Sequence, residues 1–249
     1  MNGLRVLVLG VGDAFSALHY SSCLALEAEG QWLLIDCPHP IRKVLRESSA
    51  RAGLSLDVGD LAGVVVTHLH ADHASGLEGL GYFGHFVVGR RLPLLMHPAG
   101  AARLWEGHLA AGMERLLPGL DAAPEAMALT SYFEPRDLDT EREVELGPFQ
   151  IACRSTIHHI PTTALRIRAG GRSLGYSADT AYDPGLIDWL AEADLVIHET
   201  NYGVHTPYER LAALPADLRA RMRLIHYPDD LDLSDLAIEP LREGQRLEV

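Results

Sequence analysis

The stretch His68-Leu69-His70-Ala71-Asp72-His73 follows the apolar run 61–66 and constrains the chain more than any other segment. Three imidazoles and a carboxylate within six positions, at the exit of a buried strand, are poor core material and good metal ligands. His68 and His70 stand two apart in extended chain, so they point to one side and can share a cation. Asp72 and His73, past the bend, can reach a second. Imidazole is a borderline donor and carboxylate a hard one. The mixture suits zinc, with Mn2+ or Fe2+ as the other candidates.

This HxHxDH pattern after a hydrophobic strand resembles the signature of the metallo-β-lactamase-fold hydrolases. That family takes its remaining ligands from distant strand ends, and matching pieces occur here in order. They are His158 in the string 156–167, Asp179 in 175–180 and His226 in 224–228. The resemblance covers nearly the whole chain. It implies an α/β fold, the metallo-β-lactamase αββα sandwich of two packed mixed β-sheets flanked by helices. It also implies two divalent metal ions. His68, His70 and His158 would hold one, Asp72, His73 and His226 the other, and Asp179 would bridge them. Of the neighbours His158 and His159, the resemblance selects His158. His159, pointing the other way in extended chain, remains the alternative and is better placed to face substrate.

At 249 residues, 47% apolar and 22% charged, the composition is that of an ordinary globular protein with one substantial core. Residues 1–249 are expected to form one domain. No apolar run approaches the roughly 18–20 residues needed to span a bilayer. The opening residues read as a first strand, not a signal peptide. Three cysteines, an odd number in strand-like settings, do not suggest a disulfide framework. The cytoplasm is the default location. Net charge is −13, from 21 basic and 34 acidic residues. That balance disfavours capture of long nucleic acid, but bound divalent cations leave room for a small anionic substrate.

Strand-like runs cover 4–9, 23–27, 32–36, 63–67, 92–96, 143–145, 149–156, 164–169, 173–177, 195–198 and 224–226. Helical pattern covers 40–52, 74–84, most of 98–131 with an amphipathic stretch at 101–117, and 186–193. Gly10-Val11-Gly12 resembles a dinucleotide fingerprint only superficially, because no third glycine and no helix follow. The acidic tail 229–249 could cover a sheet edge or a partner subunit.

A dinuclear centre, its ions about 3.5–4 Å apart, deprotonates a bridging water near neutral pH and templates in-line attack. Asp72 would orient that hydroxide as well as bind metal. Glu199 and Asn201 follow His198, and His205 comes shortly after. This resembles the ribonuclease Z branch, in which a later His donates the leaving-group proton and a carboxylate orients it. The resemblance therefore casts His205 as general acid and Glu199 as its partner. His198 and His97 read equally as core or supporting histidines. His19, His39, His85 and His108 fall outside the motifs.

His70 is where the di-iron oxygen-reducing relatives carry Glu, so the resemblance implies hydrolysis. The compact spacing from His158 to Asp179, with its Pro-Thr-Thr-Ala-Leu-Arg-Ile string, points to the phosphodiesterase branch. A basic arm of the kind that grips tRNA is missing from the sequence. The expected substrate is therefore a small phosphodiester: a cyclic nucleotide, a cyclic phosphodiester or a short oligonucleotide. Hydrolysis of a carboxylic ester, lactone or thioester on the same metals, and a ribonuclease Z-like endonuclease, are the alternatives. Homodimers are common in the family, and nothing in the sequence opposes one.

Overall fold

The computed structural model describes residues 3–249. In chain order its strands are β1 (Arg5–Gly10), β2 (Cys23–Ala28), β3 (Gln31–Ile35), β4 (Leu61–Val65), β5 (Leu92–Met96), β6 (Arg115–Leu116), β7 (Glu125–Ala126) and β8 (Phe133–Asp137). The second half supplies β9 (Val144–Leu146), β10 (Phe149–Ser155), β11 (Thr163–Ala169), β12 (Arg172–Tyr176), β13 (Leu195–Glu199), β14 (Met222–Ile225), β15 (Glu239–Pro240) and β16 (Arg246–Glu248). One seven-stranded sheet has the order β16-β1-β2-β3-β4-β5-β8 and the other β15-β14-β13-β12-β11-β10-β9. Each is mixed. The steps β3–β4–β5–β8 and β12–β13–β14–β15 are parallel and the rest antiparallel.

The inner strands β1, β2, β4 and β5 of the first sheet are covered on both faces, so they read as nearly unbroken apolar runs and not as alternating patterns. Val6, Val8, Leu24 and Leu26 pack with Phe149, Ile151, Leu165 and Ile167 between the two sheets. Their neighbours Leu7, Leu9, Cys23 and Ala25 turn to the opposite face and pack under Ile41, Val44 and Leu45. Those three, with Ser48, line one side of the helix Ile41–Arg51 at helical spacing. The Ser48 hydroxyl is satisfied by donating to the Leu9 carbonyl at 2.6 Å.

Most expected elements are present within a residue or two. Strand β8 was not expected. Its sequence Phe-Glu-Pro-Arg-Asp has little apolar content because four of its five residues are exposed, as suits an edge strand. The helical pattern at 101–117 ends early: the chain leaves helix after Met113 and enters the short β6. The expected helix 74–84 is broken by Ser75 and Gly76 into Ala71–Ala74 and Leu77–Phe83. The tail closes an edge of each sheet, β15 pairing with β14 and β16 with β1. Among the described residues no helix is long and apolar enough to cross a membrane.

Candidate metal centre

Parallel strands present their carboxyl ends to one side of a sheet, and α/β proteins build sites there. Here the ends of both parallel halves meet at one edge of the sandwich. The ends of β3, β4, β12, β13 and β14 deliver, in turn, Asp36, the loop 66–73, Asp179, Glu199 and His226. The two sheets are stitched together at this point by the amide of Thr163, which donates to the Thr67 carbonyl at 3.2 Å. Three of the delivering turns use left-handed backbone at residues with a Cβ: Asp36 (φ 62°), Ala178 (φ 50°) and His226 (φ 57°). Such conformations cost on the order of 1 kcal/mol or more each and collect at functional sites.

The sequence-selected residues form two groups that share one carboxylate. In the first, the Nε2 atoms of His68 and His158 lie 3.1 and 3.0 Å from Nδ1 of His70. Asp179 Oδ2 stands 3.6 Å from both Nε2 atoms. In the second, Asp72 Oδ2 lies 3.3 Å from His73 Nε2 and 3.2 Å from His226 Nε2. Asp179 Oδ1 is 3.2 and 3.5 Å from those same nitrogens. Each group brings its donor atoms within 4.8 Å of one another. Burial lowers the pKa of His68, and that of His158 to about 4, leaving these imidazoles neutral with lone pairs available. Burial opposes a charge on His226 too, but Asp179 and Asp72 outweigh it and hold its pKa at about 9.

The donor set fits divalent cations. His73 Nε2 and Asp179 Oδ1 are buried and lack a hydrogen-bond partner, although both face the middle of the second group. Orphaned buried polar atoms are costly, and a cation between them would satisfy both. His159, by contrast, is exposed and its ring centroid lies 6.2 Å from that of His70. It belongs to neither group.

Sequence reasoning missed the residue that holds this arrangement from behind. Asp36 is fully buried, its Oδ2 2.8 Å from Nδ1 of His73. Its Oδ1 accepts from the Thr67 amide at 2.8 Å and from the Thr67 hydroxyl at 2.9 Å. The hydroxyl also meets Nδ1 of His68 at 3.0 Å, so one carboxylate supports an imidazole in each group. The available signal was an acid ending the apolar run Leu33-Leu34-Ile35. Gly76 completes the support. Its amide donates to the Cys37 carbonyl at 2.7 Å, while the Cys37 amide donates to the His73 carbonyl at 2.7 Å.

Beside the second group, the buried Glu199 carboxylate accepts from the Thr180 amide at 2.7 Å and from Nδ1 of His205 at 2.9 Å. Burial alone would lower the His205 pKa, but Glu199 outweighs it and raises it. Burial raises the Glu199 pKa, against the pull of His205. His205 stacks on His226 with ring centroids 5.3 Å apart, and its side chain is partly exposed. Asn201 plays a different part, its side-chain amide donating to Asp13 and to the His226 carbonyl at 2.9 and 3.3 Å. His198 is a satisfied core histidine, donating from Nδ1 to the Glu199 carbonyl at 2.7 Å. His97 caps the helix Pro98–Leu104. Gly12 bridges Ser21 and Tyr227, so the glycines near it serve close packing. The three cysteines are buried free thiols.

The profile of the family described as Anti-Pycsar protein Apyc1 matches residues 4–240. The chain belongs to that family. An Anti-Pycsar protein Apyc1 of Bacillus phage 010DV004 is 30% identical over 244 residues, covering 92% of this chain and 91% of that protein. The Apyc1 protein of Saccharibacillus brassicae is 29% identical over 239 residues, with 91% of each chain covered. Solved structures show the fold of this Apyc1 family member to be that of the metallo-β-lactamases. The metallo-β-lactamase fold protein YhfI from Bacillus subtilis superposes with TM-score 0.77 at 20% identity over 100% of both chains. A diphosphatase of the PhnP family gives 0.75 at 17% identity, covering 99% of this chain and 98% of that one. The short form of human tRNase Z gives 0.68 at 22%, with 98% of each covered.

Proposed function

We propose that this protein is a dinuclear metal-dependent phosphodiesterase acting on a small substrate such as a cyclic nucleotide or another cyclic phosphodiester. The observation that carries the reading is Asp179, whose two oxygens face two separate sets of donors. His68, His70 and His158 would hold one ion, and Asp72, His73 and His226 the other, with zinc favoured by the imidazole-rich set. Two such ions, when bound, supply Lewis acidity to a phosphoryl oxygen and lower the pKa of a water to about 7.

The chain's own groups complete the chemistry. Asp72 is an acceptor able to orient the attacking water. His205 donates a proton to the leaving oxygen from its free Nε2, while Glu199 fixes the ring through Nδ1. Phosphodiester cleavage expels an alkoxide and benefits from this donor. A diphosphatase and a tRNase Z share the fold at full length, which supports phosphate chemistry over acyl transfer. A small substrate is supported by the net charge of −13 and by the direct joining of β10 to β11 through 156–162, which leaves no arm there.

The test is hydrolysis of bis(p-nitrophenyl) phosphate beside a lactone and a thioester, with zinc or manganese supplied. The reading expects phosphodiester turnover, abolished in Asp179→Ala. Turnover of the lactone or thioester alone, unaffected by His205→Ala, would replace it with an acyl hydrolase.

A further inference from the structure

Asp13 is 7% exposed, and amides supply its hydrogen bonds. Its Oδ1 accepts from the Phe15 amide and its Oδ2 from the Asn201 side chain, both at 2.9 Å. The same Asn201 nitrogen donates to the His226 carbonyl at 3.3 Å, and the Asn201 oxygen accepts from the Tyr202 amide at 2.7 Å. A carboxylate and a carbonyl only accept, and a backbone amide only donates, so these neighbours admit one orientation of the side chain. An aspartate of the same shape could not make the two donations.

Asn201 joins segments that are distant in the chain. One is the turn after β14, where His226 has left-handed backbone (φ 57°) and aims its ring at Asp72 and Asp179. A residue with a Cβ keeps such a conformation only where its surroundings over-determine it. The Thr200 amide donates to the Ile225 carbonyl at 3.1 Å before this turn, and the Gly12–Tyr227 bridge follows it. Asn201 holds the carbonyl of His226 itself. The other segment is the loop 202–206, which carries His205. It closes on Asn201 at both ends, because the Asn201 amide donates to the Thr206 carbonyl at 3.2 Å while its side chain receives the Tyr202 amide. The rings of His205 and His226 stack with centroids 5.3 Å apart, so both stand on backbone that one residue ties together. We propose that Asn201, anchored by Asp13, is a positioning residue that sets the His226 ring against the second donor group and the His205 ring against His226. The part played through His205 rests on the phosphodiesterase reading; the part played through His226 needs only the metal.

Asn201→Asp tests it. The substitution keeps the shape and the acceptor for the Tyr202 amide, ends both donations and faces Asp13 with a second carboxylate. Zinc binding, followed by competition with a chromophoric chelator, should weaken about tenfold, as when a group behind a metal ligand is removed. At saturating zinc, kcat on a 3′,5′-cyclic nucleotide should fall about 10–100-fold, and more than on bis(p-nitrophenyl) phosphate, with KM little changed. The double variant Asp13→Asn with Asn201→Asp separates positioning from stability. It restores a hydrogen bond between positions 13 and 201 and should recover the urea midpoint, but not the donation to the His226 carbonyl, so zinc affinity should stay low. Unchanged zinc affinity in Asn201→Asp overturns the proposal. Affinity that returns with the urea midpoint in the double variant overturns it too, since Asn201 would then act on stability alone. Equal losses of kcat on the two esters would overturn the part assigned to His205. Weakened zinc binding in Asn201→Asp, with neither ester hydrolysed by the unaltered protein, would uphold the positioning of His226 and refute the phosphodiesterase reading.

Discussion

Asp36 Oδ2 lies 2.8 Å from Nδ1 of His73, and neither side chain has exposed surface. The contact fixes which imidazole nitrogen faces the other donors: Nδ1 is engaged, so Nε2 points to Asp72 and Asp179. Carboxylates placed behind metal-binding histidines commonly set metal affinity in this way. Asp36→Asn preserves shape but removes the charge. It is expected to weaken zinc binding by about 10–100-fold, measured by competition with a chromophoric chelator. Unchanged affinity would show that the histidines orient themselves.

His205 and Glu199 make a prediction that separates proton donation from structural support. A p-nitrophenolate leaves without help, whereas the alkoxide of a cyclic nucleotide does not. His205→Ala should therefore cost about 10²–10⁴-fold in kcat on the alkoxide-leaving ester and much less on bis(p-nitrophenyl) phosphate. Equal losses on the two esters would mean that His205 only shapes the site.

Gly76 sits against backbone. A Cβ there would lie 2.7 Å from the Cys37 carbonyl oxygen, and the segment it would meet, Cys37-Pro38, is buried. Gly76→Ala should destabilise the protein by about 1–3 kcal/mol, read as a lower urea midpoint with the slope unchanged. A midpoint equal to that of the unaltered protein would mean that the turn yields freely.

His198 gives a pH dependence of known sign. Burial lowers its pKa in the folded chain to about 4, against an ordinary value near 6.5. Between those values the unfolded chain binds a proton that the folded chain does not. Its contribution to stability is therefore lost as pH falls from above 6.5 to about 4, by at most roughly 3 kcal/mol. Urea midpoints followed from pH 7 to 4.5 should fall less steeply in His198→Gln than in the unaltered protein. Parallel curves would assign the pH dependence to other groups.

Much of the site is legible in the sequence because its residues are chemically conspicuous where they stand. Histidines and acids at the ends of apolar runs do not serve a core, so His68, His70, Asp72 and His73 can be named from the residues alone, while the resemblance is what singles out Asp179 and His226. The choice of His158 over His159 needs the resemblance, and the structure gives its reason: one ring turns inward and the other into solvent. Asp36 stays hidden because a lone acid after a strand resembles any turn residue. Strand β8 escapes notice because an exposed edge strand carries no apolar signature.

The sequence by itself determined which residues could carry metal chemistry and that strands and helices would alternate around them, since both follow from side-chain type and local periodicity. Only the tertiary structure decided that Asp36 backs His73 and that the Thr163 amide ties the second sheet to the Thr67 carbonyl beside the site. Those relations join residues far apart in the chain. They arise where the two sheets bring their strand ends together, and no local pattern encodes that meeting.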